Sequence, residues 1–347
     1  MFARGIRGLL ASSQILLSLK AQEWDTLIPL PGCESLAADG PYLWAFSYDR
    51  RSAYQDTHLQ GRLYRFRADE VTPFPRDVTP PEASWHPFGL AYQEPYLWFL
   101  NGSRGRPTEV WRYTWSGERL HSPRTWRHPA FVSLQAIVPL GPEQFYVAND
   151  RQGASRWHLV MGFFVRRVRS SILYCAGDSC WISATGIPYA AGLAYLPALR
   201  QLWVSVAFRK ALWIYEQGAS PEKLYRLRKV RLPGHPDNLY VVSDSSVWVL
   251  CHRSLNKWAR ALAFGGRRSP WSVVEVRFKS DNTYQVRTLY TTRRGYATAS
   301  GVCLIPPYLY VGSVFEPYLL RLRVAEAIPT ALGPANKDAS RAPTHPE

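Results

Sequence analysis

Apolar and polar residues alternate in short runs along most of this chain, and the runs recur as a three-part phrase. An apolar stretch comes first, as ESLAAD, FGLAYQ, LQAIVP, AGLAYL, DNLYVV and SGVCLI. A strand centred on a Tyr or Trp follows, at Trp44, Trp98, Tyr146, Trp203, Trp248 and Tyr310. An alternating segment completes each phrase: GRLYRFR, TEVWRYT, SSILYCA, ALWIYEQ, VVEVRFK and YLLRLRV. A period of two is that of a half-buried strand. The aromatic marks are 54, 48, 57, 45 and 62 residues apart, near the ~40–50 residues of a propeller blade with lengthened loops. Six units of three or four strands predict an all-β fold, a six-bladed β-propeller. Such a ring must close on itself, so residues 24–324 read as one domain whose first and last strands meet. No long helical pattern interrupts the repeats.

Composition supports one large all-β body. The chain has 347 residues, 46% of them hydrophobic, with 14 Trp, 20 Tyr and 14 Phe available to wedge between blades. Two ends fall outside the repeats. Residues 1–23 carry Arg4, Arg7 and Lys20 around the apolar stretch IRGLLASSQILLSL. This segment reads as a signal sequence, a transit peptide or an uncleaved amphipathic membrane anchor, the last being favoured. Ser12, Ser13 and Gln14 break the apolar run, leaving it short of the ~20 residues needed to span a bilayer. Residues 325–347, rich in Ala and Pro, read as a disordered tail.

Charge and cysteines sharpen the picture less. With 42 Lys and Arg against 26 Asp and Glu, the net charge is +16, a balance that attracts anionic membrane surfaces. Much of the excess alternates with apolar residues on the third strands (Arg62, Arg65, Arg67, Arg112, Arg321, Arg323), which is the look of a solvated outer face. No recognition-helix or RNA-binding signature is present, so no specific nucleic acid is expected. Five cysteines leave at least one unpaired. Cys175 and Cys180 are close enough to bridge, but buried free thiols are the favoured reading. Location in a membrane-associated or secreted setting follows only from the N-terminal segment.

In a propeller the innermost strands converge on a central channel. The residues just before the apolar anchors Leu36, Leu90, Ile137, Leu193, Leu239 and Val302 are those expected at its mouth. They are Glu34-Ser35, Phe88-Gly89, Gln135-Ala136, Ala191-Gly192, Asp237-Asn238 and Ser300-Gly301. Glu34, Gln135, Asp237 and Asn238 would thus share one axis. Hard cations such as Ca²⁺ take 6–8 oxygen ligands from carboxylates, amides, backbone and water, and these four side chains could begin such a shell. The competing reading makes Asp237-Asn238 a turn dipeptide and Glu34 a solvated loop residue.

The stretch GPEQFYVAND (141–150), with HPFGLAY (86–92), LNGSRGRPTEVWRY (100–113), ALWIYEQ (211–217), HPDNLYV (235–241), Cys251-His252 and GSVFEPYL (312–319), resembles the paraoxonase/arylesterase family. The resemblance runs through the whole propeller in order. It implies a six-bladed propeller with two calcium ions in its channel, one catalytic and one structural, that hydrolyses lactones and aryl esters. For the catalytic ion it implies ligands at Glu34, Asp237 and Asn238, an amide at Gln135 where the family has Asn, and nothing at Ala191, where the family has a second Asn. The structural ion's two Asp positions fall on Ser35 and Ala136, leaving the Leu90 carbonyl, so this second ion is expected to be absent. The family's histidine pair, which activates water, falls on Phe88 and Gly102. His86, two residues before Phe88, is expected to point elsewhere. The family's ring-closing disulfide has no counterpart.

Other catalytic patterns are missing: there is no GxSxG elbow, Walker loop, HExxH or Rossmann fingerprint. Cys251 and His252 are neighbours on a strand and face opposite ways, so they are not expected to form a thiol–imidazole pair. His235, beside Asp237, is the remaining candidate proton carrier near the mouth. Two functions follow. One is a divergent propeller with an eroded calcium site and weak or lost hydrolase activity, serving as a binding or structural module. The other is an active calcium-dependent hydrolase of lactones or aryl esters, holding one Ca²⁺.

Overall fold

The computed structural model describes residues 26–49, 52, 58–102, 107–150, 168–264, 269–292 and 296–324. The N-terminal segment expected at 1–23 and the tail expected at 325–347 lie outside these residues. Among the described residues no helix is long and apolar enough to cross a membrane.

Six four-stranded antiparallel sheets surround a central axis. Blade one is β2 (Ser35–Asp39), β3 (Tyr42–Ser47), β4 (Arg62–Arg67) and β5 (Arg76–Asp77). Blade two is β6 (Pro87–Gln93), β7 (Tyr96–Asn101), β8 (Glu109–Trp115) and β9 (Leu120–Trp126). Blade three is β10 (Leu134–Gly141), β11 (Gln144–Asn149), β12 (Ser170–Ala176) and β13 (Ser179–Ile187). Blade four is β14 (Ala190–Leu196), β15 (Gln201–Val206), β16 (Ala211–Gln217) and β17 (Leu224–Arg231). Blade five is β18 (His235–Ser243), β19 (Ser246–His252), β20 (Trp271–Phe278) and β21 (Tyr284–Thr291). Blade six combines β22 (Ala299–Ile305), β23 (Tyr308–Ser313) and β24 (Leu319–Arg323) with β1 (Thr26–Ile28), from the other end of the propeller. β1 pairs with β24 through Thr26↔Arg321, Leu27↔Leu320 and Ile28↔Leu319. Closure of the ring is therefore a shared sheet.

The aromatic marks explain why the blades stack. All six sit on second strands and are almost wholly buried, Trp248 at 2% exposure being the most open. Apolar residues of each pair of neighbouring blades form a cluster, one for each of the six blade interfaces. Between blades one and two, Trp44 meets Trp115 edge-on at 4.9 Å and stacks on Tyr92 at 5.7 Å. Between blades two and three, Trp98 and Trp126 lie within 5.4 Å of Phe145. Tyr310 donates its hydroxyl to the Ala68 carbonyl at 2.6 Å, tying blade six to blade one.

Three expectations are corrected. The third-strand arginines do not all face solvent. Arg65 lies over Tyr42 and pairs with Asp39, Arg112 lies over Tyr96, and Arg321 is 2% exposed with its guanidinium over Tyr308. The register puts Arg65, Arg112 and Arg321 opposite Trp44, Trp98 and Tyr310, so each guanidinium covers the aromatic surface of its own blade. Arg62, Arg67 and Arg323 are exposed as expected. Secondly, Cys175 and Cys180 are disulfide-bonded, while Cys33, Cys251 and Cys303 are free and buried. The two-residue turn at Gly177-Asp178 sets Cys175 opposite Cys180 in the ladder. Thirdly, a helix, α1 (Leu255–Phe264), interrupts blade five between β19 and β20.

Candidate functional site

The six innermost strands, β2, β6, β10, β14, β18 and β22, pack side by side in a closed ring. Five of them carry a register irregularity at the dipeptide expected at the channel mouth. The shifts fall between Phe88 and Leu90, Leu134 and Ala136, Ala190 and Gly192, Pro236 and Leu239, and Ala299 and Val302. A bulge breaks the alternation and re-aims side chains, which is why such features recur beside active sites. The ring is tight at these points. A Cβ on Gly192 would come 2.6 Å from the Asp237 carbonyl oxygen, and one on Gly301 would collide with the carbonyl of Glu34.

Blade six thus stands between the two acidic groups. Its Ser300-Gly301 step touches Glu34 of blade one on one side and Asp237-Asn238 of blade five on the other. Ser300 donates its hydroxyl to Asp237 Oδ2 at 3.1 Å. Asn238 donates its Nδ2 to the Ser300 carbonyl and to Ser300 Oγ, both at 3.2 Å. Ser205 of blade four donates to the Asp237 carbonyl at 2.5 Å. Side chains and backbone from three blades therefore fix the Asp237-Asn238 bulge.

Asp237 is 5% exposed, and its carboxylate is aimed at His252, whose Nε2 lies 3.0 Å from Oδ2. Nε2 donates there, since a carboxylate at this distance accepts. His252 is 2% exposed, its Nδ1 has no hydrogen-bond partner among the described residues, and its ring lies 5.3 Å from that of Trp258 on α1. Sequence reasoning did not find this pair. Its signal is the β18–β19 hairpin, whose register pairs His235 with His252 and so brings His252 beside the Asp237 bulge.

The other candidates divide. Glu34, 9% exposed, and Asn238 both line the central channel. Gln135 sits half-buried at the bulge of β10, and it is not among the residues lining the channel cavity. His235 is 4% exposed and donates Nδ1 to the Ala207 carbonyl at 2.8 Å. Ala191 is packed in an apolar cluster with Tyr189, Ala207, Phe208 and Leu255. Phe88 and Gly102 are spatial neighbours: a Cβ at Gly102 would lie 2.9 Å from the Phe88 ring, which fills the space a side chain there would need. His86 is turned to Tyr48, its Nδ1 2.8 Å from the phenol oxygen, and burial lowers its pKa.

The channel itself encloses about 500 Å³ and is lined by residues of all six blades. Its walls carry the apolar anchors Leu36, Leu90, Ile137, Leu193, Leu239 and Val302. Glu34 is the one charged side chain lining it among the described residues. No group of three or more His, Cys, Asp or Glu side chains placed to hold a metal occurs among the described residues.

Comparison with known proteins agrees with this architecture. The arylesterase family model matches residues 79–315. Mechanosensory abnormality protein 6 of Caenorhabditis elegans is 22% identical over 193 residues, covering 54% of this chain and 51% of that protein. Serum paraoxonase/arylesterase 2 of Rattus norvegicus is 21% identical over 243 residues, covering 67% and 68%. The match spans about half the length of several of these relatives, 44% for human serum paraoxonase/arylesterase 1. Among solved structures, a luciferin-regenerating enzyme superposes with a TM-score of 0.53 at 13% identity, covering 87% of this chain and 94% of that one, a likeness of fold. With more than half of its length matched by the family model and six blades closed around one channel, this chain belongs to the arylesterase (paraoxonase) family.

Proposed function

We propose that this chain is a divergent member of its family in which the calcium centre has eroded, hydrolase activity is weak or lost, and the propeller serves as a binding or structural module. The family is generally calcium-dependent, so the donor set is the test. One observation carries the reading: Asp237 Oδ2 is taken by two donors, His252 Nε2 and Ser300 Oγ, and Asp237 is not among the residues lining the channel. Position 191 offers a methyl group inside an apolar cluster. Among the described residues the side-chain donors lining the channel at this end come down to Glu34, Asn238 and Ser35, which leaves backbone and water to supply most of the 6–8 oxygens that calcium takes. Among the described residues these side chains alone do not make up a calcium shell.

The proton-transfer machinery is reduced as well. Phe88 and Gly102 stand where the resemblance expects a histidine pair, and a placed general base is typically worth about 10²–10⁴ in rate. His235, the substitute suggested by sequence, commits its Nδ1 to a backbone carbonyl.

A second reading, an active calcium-dependent hydrolase of lactones or aryl esters, is favoured by the convergence of Glu34, Asp237 and Asn238 on Ser300-Gly301. It requires Asp237 to exchange His252 for a cation, with water or backbone completing the shell.

Thermal melting of the full chain with and without millimolar calcium, together with assays on phenyl acetate and a lactone, separates the two. A ligand that binds only the folded form raises the melting temperature by mass action. The eroded centre predicts no calcium-dependent shift and turnover at the background rate. A shift abolished by Asp237→Ala, with calcium-dependent turnover, would establish the hydrolase instead.

A further inference from the structure

Each blade ends in an outer strand, and the free edge of such a strand presents N–H and C=O groups that can template another strand. Five of the six edges are poor templates. β5 spans two residues and β1 three. β9 contains Pro123, which has no N–H to offer. β13 is broken by two register shifts. β21 is eight residues long, and its Arg287 is already paired with Glu275 at 2.9 Å.

β17, the outer strand of blade four, differs. Its eight residues, LYRLRKVR, give an edge ~26 Å long with a single register shift, at Leu227. Among the described residues its backbone bonds only to β16. The strand carries Arg226, Arg228, Lys229 and Arg231, all exposed, and no Asp or Glu occurs between Lys223 and Pro236. None of the four cations has a carboxylate within ion-pair distance among the described residues, although Arg226 lies 4.7 Å from the centre of the Trp213 ring. Arg228 and Lys229 are consecutive in the ladder, so cations stand on both faces of the sheet at this edge. Like charges repel a second copy of the same edge, which guards it against self-association. Guarding does not account for Tyr225 and Leu227, which are 59% and 47% exposed on the same strand. An added acidic strand would cover them, take its affinity from main-chain hydrogen bonds and set its charges against the four cations. A flat anionic surface would use the charges alone and leave the backbone edge to water.

We propose that the outer edge of blade four accepts an extended acidic segment of a partner protein as a fifth strand. The site lies on the rim of the ring, on the strand of its blade farthest from the channel, so it is independent of the state of the calcium centre.

The test is fluorescence anisotropy of a labelled decapeptide alternating Glu and Val, titrated with the full chain. Two matched probes accompany it: the same peptide with Gln for Glu, and the Glu peptide methylated on every backbone amide. The Glu peptide is expected to bind one per chain. Exposed ion pairs are individually weak, so the Gln peptide should bind about tenfold more weakly. The methylated peptide keeps the charge without the main-chain donors and should not bind measurably. The double variant Arg228→Glu with Lys229→Glu should weaken the Glu peptide by about tenfold or more, since like charges would then face each other across the strands. Arg119→Glu, an exposed position on blade two, should leave every affinity unchanged. Comparison of the three peptides on the unaltered chain needs no variant to fold. Binding of the methylated peptide as tight as that of its parent, a loss in Arg119→Glu equal to that in the double variant, or no binding of the Glu peptide would overturn the proposal. Vesicles of phosphatidylcholine and phosphatidylserine that bind the unaltered chain and release the double variant, with no peptide bound, would assign this rim to a membrane instead.

Discussion

Ring closure gives the sharpest energetic prediction, because one buried side chain holds both ends of the propeller. Arg321 on β24 donates Nη1 to the Glu70 carbonyl at 2.7 Å, and Nη2 to the Val71 carbonyl at 2.7 Å and to Thr26 Oγ1 at 2.8 Å. Its guanidinium also lies 4.1 Å from the centre of the Tyr308 ring. Arg321→Met keeps most of the stem's packing and removes the fork. Each hydrogen bond to a charged group is worth about 1.5–3 kcal/mol, but these are not additive. Glu70 and Val71 are exposed, so their vacated carbonyls recover water. The net loss should be about 3 kcal/mol, or about 5 °C in melting temperature for a domain of this size. Arg321→Lys keeps the charge without the planar fork and should recover about 1 kcal/mol of that. Arg323→Met, two residues on and exposed, should stay within about 0.5 kcal/mol. Urea unfolding of the three variants measures this. An Arg321→Met curve that overlays Arg323→Met would refute the claim that this guanidinium latches the ring.

Further predictions follow from the same packing. Gly192→Ala should destabilise by about 1–3 kcal/mol in urea unfolding, because its Cβ would lie 2.6 Å from the Asp237 carbonyl oxygen. Gly141→Ala, with nothing within 4 Å of its Cβ, should be close to neutral. Alkylation under denaturing, non-reducing conditions should label three cysteines, with the remaining two labelled only after reduction, as counted by mass spectrometry; loss of the Cys175–Cys180 bridge by paired serine substitution should cost roughly 2 kcal/mol. Burial lowers the pKa of His86 below its ordinary value, so the unfolded chain binds a proton more readily there than the folded one. Stability from this group should be complete well above the unfolded value of about 6.5 and fall as pH drops through it toward the lower folded pKa. His86→Gln should flatten that part of the stability–pH curve.

The architecture was legible because each blade repeats one local solution. Trp44, Trp98, Tyr146, Trp203, Trp248 and Tyr310 fill equivalent second-strand positions, and an apolar run at a fixed distance before each marks an innermost strand. The dipeptides that the same register singled out coincide with bulges on five of the six innermost strands. What the linear pattern concealed were pairings fixed by register and by neighbouring blades. Arg65, Arg112 and Arg321 alternate with apolar residues just as solvated residues do, and only the ladder reveals them opposite aromatic partners. His252 reaches Asp237 because the Asp237 bulge shifts the β18–β19 register. The Cys175–Cys180 bridge could have been inferred from a Gly-Asp hairpin turn, which sets the flanking residues opposite each other. Helix α1 is a single short excursion between two strands of blade five, with no repeat to announce it.

Diffraction from crystals grown in millimolar calcium tests the state of the channel centre most directly. The account predicts Asp237 still bonded to His252 and Ser300, with no cation between Glu34 and Asn238. A calcium ion coordinated by Glu34, Asp237 and Asn238, with His252 displaced from the carboxylate, would contradict it.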